Sequence, residues 1–170
     1  MDGLITDVGN ISLALTLIAG FIFGIVQVKQ AARDRRERFT LDTLRTFSTR
    51  ETAELMNFVG SDRFPKTREE ARALEGMDNV MMIQFSQLME SLGFLVAEGF
   101  IDIDLVDKTL GSYVITCWKK YKVFILPSRE RDPYLCEYFE WLAWQMKDRL
   151  NNHPREPFYK NIEALKKQTG

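Results

Sequence analysis

No charged residue occurs between Asp7 and Lys29, and the run from Val8 to Val28 is 21 residues long. An α-helix rises about 1.5 Å per residue, so this run spans about 31 Å, which matches the hydrocarbon thickness of a bilayer. Twelve of its residues are Leu, Ile, Phe or Val. Together they favour membrane insertion by about 4 to 7 kcal/mol. The run therefore predicts a transmembrane helix within residues 1–30.

Two other interpretations of the run remain open. A cleaved signal peptide needs a basic N-terminal region and a shorter apolar stretch. This flank carries Asp2 and Asp7 and no basic side chain. A buried core helix needs a larger soluble domain that surrounds it on every side. We therefore expect the transmembrane interpretation to hold.

The charges on the two flanks predict the orientation of the helix. The N-terminal flank carries two acidic residues, whereas the C-terminal flank carries five basic residues against two acidic ones. The basic residues are Lys29, Arg33, Arg35, Arg36 and Arg38. Because basic flanks stay on the cytoplasmic side, we expect the N-terminus outside a bacterial inner membrane and the remaining chain in the cytoplasm.

A polar and glycine-containing stripe follows one side of the predicted membrane helix. Gly20 and Gly24 form a GxxxG pair, which lets two helix backbones approach closely in lipid. Bulky side chains, among them Phe21, Ile22 and Ile25, are expected on the opposite surface. The stripe contains Asn10, Leu13, Leu17, Gly20, Gly24 and Gln27.

This stripe has three interpretations: self-association, a narrow pore, or an ordinary anchor. Leu13 and Leu17 would form a hydrophobic ring in a pore that gates by dewetting. One helix cannot enclose a pore, so a channel requires a homo-oligomer, for which we take a tetramer.

The rest of the chain has helical periodicity, and we predict an all-α fold. The membrane helix should continue as a basic extension over residues 31–47, because no Gly or Pro interrupts it. Residues 48–170 should form a cytoplasmic helical bundle. Ser48 or Thr49 can cap a short helix that ends at Gly60.

Three longer helices are predicted after residue 66. Thr67 and Glu70 form a capping box that should begin a helix ending at Gly99. Asp102 or Asp104 should begin the next helix, which Pro127 ends, and Asp132 with Pro133 should begin another. The expected inward residues are Leu74, Met77, Met81, Leu88, Leu92 and Leu95 on the first, Val106, Leu110, Tyr113, Cys117, Tyr121 and Phe124 on the second, and Leu135, Phe139, Leu142 and Met146 on the third. A short polar helix is expected at the C-terminus.

The sequence contains no pattern typical of catalysis, metal binding or cofactor binding. His153 is the only histidine and lies in a predicted turn. Cys117 and Cys136 form no CxxC pair, so we predict reduced thiols and neither a metal site nor a disulfide framework. No phosphate-binding glycine loop occurs. We therefore predict that the chain is not an enzyme.

Two basic regions are candidate sites for a polyanion. The first contains Arg33, Arg35, Arg36 and Arg38 beside the predicted membrane helix. The second contains Trp118, Lys119, Lys120 and Lys122, where lysines alternate with aromatic residues. Such a pattern suits single-stranded nucleic acid, whose backbone binds cations while its bases stack on rings. The alternative interpretations are binding to anionic lipid for the first region and a solvated helix face for the second.

One segment resembles a known group of proteins. The stretch MESLGFLVAEGFIDIDLVDKTLGSYVITCWKKYKVFI, followed by EYFEWLA, is similar to a family of short bacterial membrane-anchored helical proteins of unassigned function. The similarity is clearest from Glu90 to Ala143. Its motifs are mainly packing motifs, so they identify a fold more specifically than an activity.

Within this group, the size and layout of the chain most resemble the transmembrane effectors of the Hailong anti-phage defence system. That resemblance implies a homo-oligomeric channel in the lipid bilayer. It also implies that a partner nucleotidyltransferase makes single-stranded DNA oligomers, which bind the cytoplasmic part and keep the channel shut. Loss of the ligand during infection would depolarise the membrane and arrest growth. The alternative is a non-conducting, membrane-anchored module that tethers a cytoplasmic partner.

Overall fold

The computed structural model describes residues 2–157, 159, 160 and 162, and their side chains from residue 15 onward. Every regular element in this part of the chain is a helix, so the all-α prediction is confirmed. The helices are α1 (Asp2–Thr46), α2 (Arg50–Gly60), α3 (Arg68–Arg72), α4 (Gly76–Ala97), α5 (Ile103–Ser128) and α6 (Glu137–Asn152).

Helix α1 is a single helix that continues well beyond its apolar part. The prediction that it runs without a break to the region of Ser48 is confirmed, since α1 ends at Thr46. Two helices in the described part are long and apolar enough to cross a membrane. The segment Leu15–Thr46 contains an 18-residue stretch with a mean hydropathy of 1.6 and no buried residue. The corresponding stretch of Gly76–Ala97 has a mean hydropathy of 1.4 and is 28% buried.

The core of the bundle lies between α4, α5 and α6, with α2 packed against α4. Aromatic rings fill its centre. Phe85 of α4 stacks on Tyr121 of α5 at 5.4 Å, and Phe139 of α6 contacts the same ring edge-on at 5.8 Å. All three side chains are almost completely buried. Burying rings of this size is a main source of stability in a small domain.

Helices α4 and α6 meet at unusually short range. A Cβ atom on Gly93 would lie 2.5 Å from the carbonyl carbon of Tyr138 and closer still to its oxygen, so only glycine fits there. One turn earlier, Glu90 accepts hydrogen bonds from the backbone N–H groups of Tyr138 and Phe139, at 3.2 and 2.8 Å. The Glu90 carboxylate therefore caps the N-terminus of α6. These two contacts explain the Glu and Gly of the MESLGF motif.

Helix α1 is attached to the bundle where α4 turns into α5. Thr40 is fully buried, and its hydroxyl accepts a hydrogen bond from the Asp102 N–H at 2.8 Å. The same hydroxyl donates to the Arg36 carbonyl, and the Arg36 guanidinium donates to the Ile101 carbonyl at 3.3 Å. Leu44 and Phe47 also pack against the core. We call the contacts of Thr40 and Arg36 the α1 latch.

Several caps and inward faces agree with the sequence predictions. Thr49 caps α2, and Asp102 caps α5. The predicted inward residues of α5 are buried except Tyr113, which is partly buried. On the last helix, Phe139, Leu142 and Met146 are buried as predicted, and Leu135 is partly buried.

The prediction of one long helix from Thr67 to Gly99 is wrong. Thr67 does cap a helix, and its hydroxyl accepts the Glu70 N–H at 3.2 Å, but that helix is the five-residue α3. Gly76 adopts a φ of +57°, a left-handed conformation that interrupts helical geometry, and α4 begins there. Met77 is consequently 70% exposed and not inward.

The prediction that Asp132 and Pro133 begin the last helix is also wrong. The Asp132 carboxylate accepts the Tyr134 N–H at 3.1 Å and forms a turn, and α6 begins at Glu137. Arg129 holds this turn by donating to the carbonyls of Leu135 and Cys136. The predicted C-terminal helix lies largely outside the described residues, although 159, 160 and 162 are helical.

Candidate functional site

A groove that encloses about 260 Å³ lies between α5 and α6 on the surface of the bundle. Its walls are aromatic and aliphatic, and lysines stand along its rim. It is lined by Ile115, Trp118, Lys119, Lys122, Leu126, Glu140, Ala143, Trp144 and Lys147. We call these residues the basic groove.

The helical spacing of α5 and α6 builds the two walls. On α5, Trp118 and Lys122 are four residues apart and share one face, with Lys119 beside them. On α6, Trp144 and Lys147 are three residues apart, and the Lys147 ammonium lies 5.6 Å from the Trp144 ring centroid. Trp144 is 61% exposed, so its ring is accessible to a ligand.

The electrostatics of the basic groove favour an anion. Glu140 is the one carboxylate among the lining residues, and it forms an ion pair with Arg129. The Arg129 guanidinium also lies 5.9 Å from the Trp118 ring centroid, which fixes that ring. Three lysine ammonium groups therefore face a groove whose carboxylate is already neutralised. Cations beside an exposed indole can bind phosphate while the ring stacks on a base.

The structure separates the four residues of the second predicted basic region. Lys119 and Lys122 lie in the basic groove. Trp118 is only 8% exposed and packs edge-on against Phe139, so it forms the floor of the groove. Lys120 points elsewhere, because its ammonium donates to the Val59 carbonyl and lies 5.6 Å from the Phe64 ring. Lys120 therefore joins α5 to the end of α2.

The sequence analysis missed the α6 wall of the groove. Trp144 and Lys147 follow Glu140 at helical spacing, on the side of α6 that borders α5. Trp144, one turn before Lys147, could have indicated from the sequence that this face of α6 belongs to a binding site. However, the sequence does not show that α6 lies beside Lys119 and Lys122, so the two halves could not be joined.

The first predicted basic region has a different environment. Arg33 and Arg36 line a cavity of about 560 Å³ between α1 and the start of α5. The other charged residues around it are Glu37, Asp102, Asp104 and Lys108. Three basic and three acidic groups balance one another, and Arg36 is part of the α1 latch. Arg35 and Arg38 are exposed. The basic groove is therefore the better candidate for a polyanion site.

The glycine stripe of α1 is exposed at the positions whose side chains the structure describes, except Gly24, which is partly exposed. A Cβ atom on Gly20 or Gly24 would meet no atom within 4 Å, and Leu17 is 67% exposed. Phe21 and Ile25 line the same shallow depression as the two glycines, and thus do not lie on the opposite surface. Gln27 is exposed, whereas the side chains of Asn10 and Leu13 lie outside the described residues.

The two thiols are buried inside the bundle. Burial raises the pKa of Cys117 and that of Cys136 to about 11. Both cysteines are free. Thiols with such pKa values stay protonated at neutral pH and are poor nucleophiles. Within the described residues, no group of three or more His, Cys, Asp or Glu side chains is arranged to hold a metal ion.

Comparison with known families adds one finding. The sequence profile of DUF4760, a domain of unknown function, matches residues 14–146, which is most of the chain. The chain belongs to the DUF4760 family. The DUF4760 match begins within the apolar part of α1 and ends in α6, so it includes the α1 latch and nearly all of the basic groove. No curated protein and no solved structure matches this DUF4760 chain.

Proposed function

We propose that this DUF4760 protein is a subunit of a homo-oligomeric membrane channel that is controlled by a polyanion in the basic groove. The proposal rests on the two different environments of helix α1. Its apolar part has the length of a bilayer and is exposed from Leu15 onward, while its C-terminal half is held in the bundle by the α1 latch. In this proposal, one continuous helix connects a membrane-spanning part to a ligand-binding domain.

The exposed glycine pair supports association through α1. The backbone at Gly20 and Gly24 is open over a full turn. A second helix can approach such a surface closely, and van der Waals packing then stabilises the pair in lipid. Several copies around one axis would surround a path lined by the stripe, with the basic extension of each copy at the cytoplasmic mouth.

For the ligand, we propose a single-stranded DNA oligomer. The basic groove supplies what such a ligand needs, namely three cations and an accessible ring. The resemblance of the chain to Hailong effectors in size and layout implies the same ligand, made by a partner nucleotidyltransferase, and a role in anti-phage defence. In this proposal the bound oligomer keeps the channel shut, and its loss depolarises the inner membrane and arrests growth.

The proposal is tested with purified full-length protein in liposomes. We expect ion flux from ligand-free protein and inhibition by a synthetic oligodeoxynucleotide of ten thymidines. Liposomes without protein and addition of a neutral peptide nucleic acid serve as controls. A protein that conducts no ions in any condition would support the alternative of a non-conducting, membrane-anchored interaction module.

A further inference from the structure

Helix α4 carries a second seam, uncharged and partly apolar, on the side that faces away from its own core. Its inner seam, formed by Phe85, Met89, Leu92 and Val96, is buried in the bundle. The outer seam repeats at alternating steps of three and four residues and is exposed along its whole length. It consists of Met77, Val80, Gln84, Gln87, Ser91 and Phe94.

This spacing is the heptad period of a coiled coil. Residues that recur every 3.5 positions on average form a straight seam that another helix can enter, knob into hole. The exposed face of any helix recurs at this spacing, but a face that only borders solvent normally carries charges. The seam is instead apolar at both ends and polar but uncharged in the middle.

The charges of α4 are already used within the chain. Asp78 and Glu90 are its only charged residues. Asp78 pairs with Arg63 at 3.1 Å, and Glu90 caps α6. The outer seam therefore presents no charge to a partner, in a chain in which 28% of residues are charged. A charged ligand or an anionic surface has nothing to bind there.

We infer that the outer seam of α4 binds the same seam of a second copy of this chain. An uncharged seam is complementary to itself, because no like charges meet when it pairs with an identical helix. The amides of Gln84 and Gln87 lie near its centre and can bond to those of the second copy, which fixes the register.

The length of the seam indicates how the copies come together. It covers about two and a half heptads, and a free coiled coil needs three to four. A single helix face is also smaller than the roughly 800 Å² per partner of a standard stable interface. Association through α1, which this inference takes from the proposed function, raises the local concentration of the domains and stabilises the weaker contact.

Cross-linking of full-length protein in membranes tests the inference. Gln87→Cys places a thiol near the middle of the seam, where it meets its counterpart whichever way the two helices run. The native thiols are buried and remain unlabelled under mild conditions. A short bis-maleimide should give a band of twice 19.8 kDa from Gln87→Cys. It should give none from Ser112→Cys, an exposed position on α5.

A charge placed in the seam provides the matched control. Val80 and Val123 are equally exposed, at 43% and 42%, but only Val80 belongs to the seam. In the Gln87→Cys background, we expect Val80→Glu to lower the cross-linked fraction at least tenfold and Val123→Glu to leave it unchanged. Both substitutions are on exposed helix surfaces, so neither should prevent folding.

The remaining outcomes overturn the inference in distinguishable ways. A band of another mass would identify a different protein as the partner. Protection of the Gln87→Cys protein from a soluble maleimide in vesicles but not in detergent, without a dimer band, would identify the lipid surface. Gln27→Cys reports association through α1 separately. Its cross-linking without that of Gln87→Cys would refute the α4 contact alone, and failure of both would also refute the proposed oligomer.

Discussion

At the scale of single residues, a few side chains fix how the helices meet. Gly93 allows the backbones of α4 and α6 to touch, and Glu90 caps α6 from the neighbouring helix. Arg129 ties the turn before α6 to Glu140 and orients Trp118 at the base of the basic groove. These residues belong to the stretch from Glu90 to Ala143 that resembles a family of short membrane-anchored proteins. Their role there is to position α6, and thereby one wall of the groove.

We predict that Gly93→Ala destabilises the bundle. The added methyl group would overlap the Tyr138 carbonyl group, and backbone atoms there cannot move aside without separating α4 from α6. Overpacking of this kind costs about 1 to 3 kcal/mol. Thermal unfolding in detergent, followed by circular dichroism, should show a lower Tm. Gly60→Ala, where the Cβ meets nothing within 4 Å, is the control and should leave the Tm unchanged or slightly raise it. Equal Tm values would contradict the close packing.

We predict that reversing the charges of Lys119, Lys122 and Lys147 weakens binding of single-stranded DNA and flattens its salt dependence. Each lost phosphate contact lowers the slope of log K against log salt by about 0.7, so the slope should fall by about 2. Fluorescence anisotropy of a labelled ten-thymidine oligomer measures both effects. Reversal of the exposed Lys66, Arg72 and Arg131, which lie outside the groove, keeps the same net charge and should change the slope much less. Similar losses in both triple variants would place the ligand elsewhere.

At the scale of elements, α1 and α4 each have a regular surface that the bundle leaves uncovered. On α1 this surface is the glycine stripe, and on α4 it is the outer seam. The glycines of α1 suit the close backbone contact that packs helices in lipid. The larger side chains of α4 suit knobs-into-holes packing in water. In the proposed oligomer, the two surfaces would lie on opposite sides of the membrane boundary.

We predict that Gly20→Leu or Gly24→Leu abolishes growth arrest by the ligand-free protein. A leucine side chain would separate helices whose contact depends on close approach of their backbones. Viability after induction and the amount of protein in the membrane fraction should be measured together. Ile22→Leu, on an exposed part of the same helix, should remain toxic at equal expression. If both glycine variants stay fully toxic, the stripe does not mediate assembly.

At the scale of the whole molecule, the basic groove and helix α1 are connected through α5. The groove lies along the C-terminal half of α5, and the α1 latch holds Ile101 and Asp102, which directly precede the same helix. A ligand between α5 and α6 can therefore act on α1 by moving one rigid element. Control of the channel requires that the ligand bind the open and shut arrangements with different affinities.

We predict that Thr40→Val uncouples the ligand from the channel. Valine has the shape of threonine but cannot accept the Asp102 N–H, and leaving that group unpaired costs about 1 to 3 kcal/mol. Ion flux in liposomes should persist, whereas inhibition by the ten-thymidine oligomer should be lost. The affinity of the groove for the oligomer should fall only by the factor that corresponds to the lost coupling free energy between the two sites. Thr40→Ser retains the hydroxyl and should preserve inhibition. Full inhibition of the Thr40→Val protein would show that the latch does not transmit the signal.

Features that depend on neighbours along the chain could be predicted from the amino-acid sequence alone. Apolar periodicity and the absence of charge indicated the all-α class and the single long α1, and local capping chemistry located the starts of α2 and α5. These interactions extend over only three or four residues, so they can be read directly. The same local rules failed at Thr67 and Asp132, where local capping and turn signals are also compatible with short helices and turns.

Packing between remote elements determined which side chains come together, and this required the folded structure. Lys120 lies outside the basic groove because its ammonium group binds the end of α2. Lys147 lies in the groove with Lys119 and Lys122 because α6 packs along α5. The outer seam of α4 became visible only once the inner seam was shown to be buried. A helix of mixed apolar character has several possible inward faces, and the choice among them depends on packing against elements that are remote in the chain.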